Sequence, residues 1–167
     1  MKWLVAGLAT LMLAGCVMQP QAPKGPYPRS IAFSEEEHAQ YFGEGNAEID
    51  GQVFLKTMGG DVKYGAGETV TLVPNTPYFK ADALAFMQNR AISTKDLDAA
   101  KLKRTTQTNG QGEFKFVGIP AGKYYVFSQV YWMAPTGYGG NLQRQGDKIF
   151  KSVTADANNT TEVMVTY

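Results

Sequence analysis

The sequence predicts a mainly β protein with a single folded domain. Its 18 glycines and 8 prolines are scattered among valine, threonine, tyrosine and phenylalanine, which is typical of short strands joined by tight turns. A length of 167 residues is enough for one core with extensions. One stretch alternates with a period of two, as a half-buried strand does: Ile49, Gly51, Val53 and Leu55 against Asp50, Gln52, Phe54 and Lys56.

Composition excludes several classes of protein. The 16 basic and 15 acidic residues form no basic patch, so nucleic-acid binding has no electrostatic support. His38 is the single histidine, too few for a zinc site and poorly placed for a catalytic triad, and we interpret it as a solvent-exposed helix residue. Paired carboxylates such as Asp96 and Asp98 could act as an acid and a base, but their positions at a helix start or in a loop already explain them. We therefore predict no enzyme, no catalytic residue, no metal ligand and no soluble cofactor.

The first 15 residues predict an export signal. Lys2 supplies a positive start, and residues 3–13 form an apolar run too short to span a membrane in the mature protein. The run ends in Leu-Ala-Gly-Cys at residues 13–16, which resembles the lipobox of bacterial lipoproteins. The resemblance implies cleavage between Gly15 and Cys16 and a diacylglyceryl thioether on Cys16. It also implies, in many bacteria, a further acyl chain such as palmitate on the new amine.

The same resemblance predicts where the protein resides. Val17, rather than aspartate, follows the lipidated cysteine. In a Gram-negative host this favours the outer membrane, with the protein anchored at its periplasmic face. Because Cys16 is the one cysteine, no intrachain disulfide is expected.

Two segments are predicted between the lipid and the main domain. Residues 16–30 contain four prolines and are expected to form a tether, extended at about 3.1 Å per residue where it adopts polyproline II. Residues 31–45 are expected to hold a short helix, because Ser34 and Glu37 have the spacing of a capping box. The domain itself is predicted over residues 46–167.

A second helix is predicted over about residues 77–90. Thr76 and Pro77 suit its N-cap and first position. Apolar residues recur at helical spacing at Phe79, Ala83, Phe86 and Met87. For residues 93–103, a short helix and an irregular loop both fit.

The clearest β-hairpin is predicted over residues 105–116. Two short strands flank the turn Asn-Gly-Gln-Gly at residues 109–112, where glycines suit positive φ. With the residues that follow, this region reads T-x-T-N-G-Q-G-x-F-x-F-x-x-I-P-x-G-x-Y from Thr106 to Tyr124. The pattern resembles the signature of carboxypeptidase regulatory-like domains. It implies a transthyretin-like Greek-key β-sandwich over residues 47–167 and little about activity, with residues 75–102 as an unusual insertion.

The long aromatic strand over residues 124–133 supplies a candidate binding surface. The family pattern points Tyr124, Val126, Val130 and Trp132 inward, which leaves Tyr125, Phe127 and Tyr131 on the opposite face. Tyr138, in the glycine-rich loop that follows, is a further candidate. The alternative is that the inserted helix covers these aromatics with Phe79, Phe86 and Met87.

Together these features predict a non-enzymatic envelope lipoprotein. Its sandwich would serve as a structural or protein-interaction module, with an envelope protein as its partner. One alternative is a component of a multiprotein envelope or secretion assembly. Another is a glycan- or peptidoglycan-binding module that uses Tyr125, Tyr131 or Tyr138 as stacking platforms.

The lipobox generates the first testable prediction. Cys16→Ser removes the thiol that accepts the lipid, so the precursor should stay uncleaved and lack the added acyl mass. Mass spectrometry and detergent phase partitioning check both results. Met18→Ser, two residues further on, should be processed and lipidated normally. Cleavage and membrane retention of Cys16→Ser at the normal level would refute the anchor.

Overall fold

The structure, a computed structural model, describes residues 25–93, 96–135, 137 and 139–167. The predicted signal segment, Gly15, Cys16 and the candidate Tyr138 lie outside these residues. The fold is mainly β, as predicted, and consists of two four-stranded sheets that pack face to face as a sandwich.

The described elements follow one another along the chain. The helices are α1 (Glu35–His38), which continues as a 3₁₀ turn (Ala39–Tyr41), α2 (Pro77–Met87) and α3 (Leu97–Lys101). The strands are β1 (Ala47–Lys56), β2 (Val62–Tyr64), β3 (Thr69–Pro74), β4 (Arg104–Gln107), β5 (Glu113–Ile119), β6 (Gly122–Pro135), β7 (Leu142–Ala155) and β8 (Thr160–Val165).

The first sheet is built around β1. Strand β5 pairs antiparallel to β1, and β8 pairs parallel to it. The predicted alternation of β1 is confirmed, because Ile49, Val53 and Leu55 are buried in the core. At Val53 the chain segment paired with this edge of β1 changes. The Val53 N–H donates to the Gly112 carbonyl, just before β5 (2.8 Å), and the Val53 carbonyl accepts from the Gly65 N–H, just after β2 (2.9 Å). Strand β2 therefore continues along β1 where β5 ends.

The second sheet has the order β4-β3-β6-β7. Strands β6 and β7 form a long hairpin whose register runs from Gly122 opposite Ala155 to Pro135 opposite Leu142. The inner face of β6 buries Tyr124, Val126 and Val130, as predicted, whereas Trp132 is only half-buried. We call the distal part of this hairpin, residues 131–135 and 142–146, the arm.

The predicted hairpin over residues 105–116 is wrong. Strand β4 pairs with β3 and β5 pairs with β1, so the turn between them carries the chain from one sheet to the other. The physical reason is Thr108, which is buried just before the turn. Its hydroxyl donates to the Gly65 and Glu68 carbonyls, which ties it to the link between β2 and β3.

His38 is not solvent-exposed, contrary to the prediction. It is 1% exposed and stacks on Phe33 with ring centroids 4.8 Å apart. Its Nδ1 lies 2.7 Å from the Ser34 carbonyl oxygen, and its Nε2 lies 2.9 Å from the Thr76 hydroxyl. Thr76 and Phe79 belong to the insertion over residues 75–102, so the insertion covers the side of α1 that the local sequence leaves open.

The inserted helix α2 lies on the outer face of the second sheet, where it contacts β6 and β7. Thr76 caps it, as predicted, and it ends at Met87 rather than near residue 90. The Phe86 ring packs against Phe127 at 5.0 Å, and the Lys148 ammonium donates to the Phe86 carbonyl at 2.7 Å. Of the two alternatives for residues 93–103, the structure has the short helix α3, capped by Asp96.

Residues 25–30 lie against the insertion, although the sequence places them in the tether. We call them the strap. Tyr27 forms a parallel bridge with Ile92: its N–H donates to the Ala91 carbonyl (2.7 Å), and its carbonyl accepts from the Ser93 N–H (2.9 Å). Arg90 donates to the carbonyls of Gly25 and Pro26. The predicted boundary at residue 30 is therefore too late, since the folded part includes the strap.

Arg29 fixes the strap to the first turns of α2. Its guanidinium lies 3.7 Å from the centroid of the Tyr78 ring and donates to the Asp82 carboxylate at 2.6 Å. Burial raises the pKa of Asp82, although the neighbouring Arg29 charge opposes that shift. The loss of hydration therefore offsets much of the ion-pair attraction, and the pair determines where the strap lies more than how stable the domain is.

Loss of this pair should release the strap. Arg29→Met removes the donor to Asp82, and we expect the amide protons of Tyr27 and Ser93 to lose their protection from hydrogen exchange. The free energy of unfolding should fall by roughly 2 kcal/mol, because Asp82 loses its partner. The loss is limited because release of the strap lets water reach the Asp82 carboxylate, which then does not remain a buried, unpaired charge.

The matched control is Arg104→Met, which removes a hydrogen bond from an arginine to the Gly43 carbonyl away from the strap. It should leave the exchange of Tyr27 and Ser93 unchanged. Normal protection of both amides in Arg29→Met would show that Arg29 does not hold the strap.

Candidate functional site

The outer face of the first sheet carries a row of polar side chains. Because Ile49, Val53 and Leu55 point inward, the alternate residues of β1 point outward. The register places Asp50 between Lys115 of β5 and Glu162 of β8. It likewise places Gln52 between Glu113 and Met164. Side chains directly opposite each other on adjacent strands lie about 5 Å apart, so these groups form one continuous surface.

This surface forms an open groove of about 530 Å³. The turn between β4 and β5 supplies one wall. The groove is lined by Asp50, Gly51, Gln52, Gln107, Asn109, Glu113, Phe114, Lys115, Glu162, Val163 and Met164. Most of these side chains are carboxylates and amides, which present hydrogen-bonding groups to a ligand from several directions.

Lys115 is the cation among these carboxylates. Its ammonium lies 3.0 Å from Glu48 Oε2 and 3.2 Å from Asp50 Oδ1. Hydrogen bonds from Lys115 and from the Thr160 hydroxyl lower the pKa of Glu48. With Glu113 and Glu162 on the same face, the carboxylates outnumber the ammonium, so this surface is net negative.

Two of the amides in the groove, those of Asn109 and Gln52, are held in place by the turn. Asn109 Oδ1 accepts from the N–H of Gln111 at 3.0 Å and from the N–H of Glu113 at 2.9 Å. Asn109 Nδ2 donates to the Glu113 carboxylate at 2.7 Å. Gln52 Nε2 donates to the Gln111 carbonyl at 2.9 Å. A ligand therefore meets polar groups whose positions are already set.

An aromatic pair continues the groove along β1. Phe54 lies opposite Tyr64 of β2, on the same outward side as Gln52. Tyr64 is exposed and Phe54 is half-buried. Since β2 follows β5 along the same edge of β1, this pair adjoins the polar row at Gln52.

Among the described residues of the surface predicted from the sequence, Phe127 is buried and Tyr125 and Tyr131 are half-buried. Phe127 is 4% exposed and lies beneath Phe86 of α2, so the alternative that the insertion covers this residue is correct. Tyr125 is half-buried, and its ring lies 6.0 Å from that of Phe150. The Arg144 guanidinium lies 3.6 Å from the centroid of the Tyr131 ring.

Two other helix residues were expected to join in this cover. Phe79 packs instead with Phe33 and His38 beside α1. Met87 is half-buried at the end of α2. The cover over β6 therefore comes from Phe86, together with Lys148, whose ammonium lies over the Phe86 ring.

The residues of the groove were not identified from the sequence. The alternation of β1 did hold the signal, because it assigns Asp50, Gln52 and Phe54 to one outward face. The alternation does not show which strands pair with β1, and those strands supply the other residues of the groove. The parallel pairing of β8 with β1 brings Glu162 and Met164 to this face from the far end of the chain.

The described residues offer neither a metal site nor a membrane-spanning helix. They contain no group of three or more histidine, cysteine, aspartate or glutamate side chains arranged to hold a metal ion. Among the helices described above, none has the length and apolar character needed to cross a membrane.

Comparison with known proteins supports the fold. A crystal structure of a candidate carbohydrate-binding protein from Pseudomonas aeruginosa matches with a TM-score of 0.67 and 29% sequence identity. The match covers 81% of this chain and 97% of that protein. No family model matches the chain, and no curated protein sequence does either.

Two pilins are more distant. The minor pilin of Streptococcus agalactiae matches with a TM-score of 0.39 and 19% identity, over 74% of this chain and 44% of the pilin. The major pilin subunit of Bacillus cereus matches with a TM-score of 0.41 and 19% identity, over 74% and 29% of the two chains. Of these three proteins, the one from Pseudomonas aeruginosa has the highest TM-score, and its likeness supports a β-sandwich.

The ion pairs in the groove lead to a prediction. Lys115→Met removes the ammonium that bonds to Glu48, so the pKa of the Glu48 carboxyl should rise toward its ordinary value. Carboxyl carbon shifts followed by NMR during an acid titration measure this change. Lys56→Met, at the exposed end of β1, should leave the pKa of Glu48 as it is. An unchanged pKa in Lys115→Met would mean that the bond is not formed in solution.

Proposed function

We propose that this protein is a lipid-anchored envelope protein whose β-sandwich binds carbohydrate in the outer-face groove of the first sheet. The observation that carries the proposal is the row of carboxylates and amides along β1, β5 and β8, with Phe54 and Tyr64 at its end. Binding, rather than catalysis, is the activity proposed.

The chemistry of this row suits a sugar. Each sugar hydroxyl both donates and accepts hydrogen bonds, so carboxylates accept from it while amides do both. Hydrogen bonds that involve a charged group are the stronger kind, and Asp50 and Glu162 provide them. The apolar face of a sugar ring needs an apolar surface to rest on. The exposed side chains of Tyr64 and Met164 offer such surfaces beside the polar row.

The charge of the groove restricts the class of glycan. Carboxylates at Glu48, Asp50, Glu113 and Glu162 repel uronic acids, sulfates and phosphates. We therefore expect neutral glycans or glycans with free amino groups to be preferred. The similarity to the Pseudomonas aeruginosa protein supports a carbohydrate ligand, because the likeness extends over nearly all of that protein.

The lipobox supports the anchored part of the proposal. A diacylated and N-acylated Cys16 would hold the protein stably, since each buried methylene contributes about 0.8 kcal/mol. We propose the periplasmic face of the outer membrane as its location in a Gram-negative host. A glycan of the cell envelope, such as peptidoglycan, would then be within reach.

A protein-interaction module in an envelope assembly is the second candidate. Strand β7 favours it, because this strand is at the edge of the second sheet and its residues 142–147 are all exposed. Exposed edges pair readily with strands from other proteins. The aromatic face on which the sequence argument depended is weaker support, since Phe127 is buried.

Titration calorimetry on residues 16–167, produced without the signal segment and with Cys16→Ser, tests the carbohydrate proposal. The ligands are soluble oligomers of N-acetylglucosamine, of glucosamine and of a uronic acid. We expect binding of one or both of the first two and none of the third. The double variant Asp50→Ala/Glu162→Ala should weaken binding at least tenfold, because each lost charge-assisted hydrogen bond contributes roughly 1.5 kcal/mol or more.

The matched control is Tyr131→Ala, on the surface predicted from the sequence. It should bind as the parent chain does. Loss of binding in Tyr131→Ala alone would assign the ligand to that surface instead. If neither soluble oligomers nor isolated peptidoglycan bind, the carbohydrate proposal is wrong and the protein-interaction module takes its place.

A further inference from the structure

The arm of the β6–β7 hairpin has an unusual composition. Between Gln129 and Gly146 the sequence contains no aspartate or glutamate, although the chain has 15 of them, and Arg144 is the one charged residue. The described part of this stretch instead contains Tyr131, Trp132, Met133 and Leu142. Tryptophan, tyrosine and arginine beside aliphatic residues are typical of surfaces at the boundary of a lipid bilayer.

The exposed apolar groups lie on one face of the arm. The register pairs Met133 with Arg144 and Pro135 with Leu142, and Met133 and Pro135 are two residues apart on β6. All four side chains therefore point to the same side. Met133 is 56% exposed and Leu142 is 57% exposed. Helix α2 does not cover this face, because its contacts lie at Phe127 and Lys148, before the arm begins.

The chain enters the fold on this side of the sandwich. Arg90, just after α2, bonds to the Gly25 carbonyl, whereas Arg29 at the other end of the strap bonds to Tyr78 and Asp82 in the first turns of α2. The strap thus runs antiparallel to α2, with Gly25 at the end of the helix that is nearer the arm. The last turn of α2 holds Lys148, which pairs with Gln129 two residues before the arm.

The length of chain before the strap limits how far the arm can be from the lipid. Eight residues separate Cys16 from Gly25. At about 3.4 Å per residue, a fully extended segment of this length spans roughly 30 Å. A lipid on Cys16 would therefore keep the face that bears the strap and the arm near the membrane.

We propose that the arm docks on a phospholipid surface, with Met133, Pro135 and Leu142 entering the acyl boundary and Arg144 at the phosphates. The first sheet, with its groove, would then face away from the membrane. The inference that the strap and the arm face the membrane depends on the lipid anchor proposed above. The composition and exposure of the arm are independent of the anchor.

Vesicle binding by residues 16–167, produced without the signal segment and with Cys16→Ser to prevent lipidation, tests this proposal separately from the anchor. Without residues 1–15 the chain contains one tryptophan, Trp132, since the other is Trp3. With vesicles of phosphatidylethanolamine and phosphatidylglycerol, we expect the chain to sediment with the lipid. Because Trp132 lies between Tyr131 and Met133 on β6, although on the opposite side of the strand, we also expect brominated acyl chains to quench its fluorescence. The double variant Met133→Glu/Leu142→Glu should partition about a hundredfold more weakly, because two apolar side chains lose their contact with lipid.

The control variant is Met58→Glu in the exposed turn between β1 and β2, which should bind vesicles as the parent chain does. Circular dichroism and the thermal midpoint establish that each variant is folded. Equal binding by the arm variant and the control would overturn the proposal, and so would a parent chain that binds no vesicles. Sedimentation that shows a dimer of the parent chain, lost in the arm variant, would assign the face to a second copy instead.

Discussion

The packing of Phe86 against Phe127 determines which surfaces of the sandwich are left for function. A two-sheet sandwich has two outer faces, and each needs either polar side chains or a cover. The second sheet places Phe127 on its outer face, and α2 buries that ring beneath Phe86, while the Lys148 ammonium lies over the Phe86 ring. The first sheet has Glu48, Asp50 and Gln52 at the corresponding places, so it needs no cover and stays open.

This asymmetry also explains the strap. Once α2 covers the second sheet, its own outer surface carries Asp82 and the face of the Tyr78 ring, and the strap packs there through Arg29. The N-terminal segment is thereby fixed on the side of the insertion, away from the groove. A buried ion pair contributes little net stability after its desolvation, but it is a good device for fixing position. Here the position is that of the chain as it approaches the proposed anchor.

Local signals in the sequence predicted most of the elements, and long-range contacts account for what was missed. The caps at Ser34 and Thr76 and the alternation of β1 depend on residues a few positions apart, and the structure has all three. The hairpin over residues 105–116 failed because Thr108 bonds to Gly65 and Glu68, some forty residues earlier. His38 was misjudged for the same reason, since its cover comes from the insertion. The groove could not be predicted because part of it comes from β8, and no local pattern in the sequence specifies the parallel pairing of β8 with β1.

The two outer faces fit a division of roles in an anchored protein. A binding groove on the side that bears the strap would compete with the membrane for the same space. The groove is on the other sheet, and its carboxylates would be repelled by anionic lipid headgroups. The arm, which has no carboxylate between Gln129 and Gly146, lacks that repulsion. The distribution of charge and the path of the strap therefore favour the same orientation, with the arm toward the lipid and the groove toward the glycan.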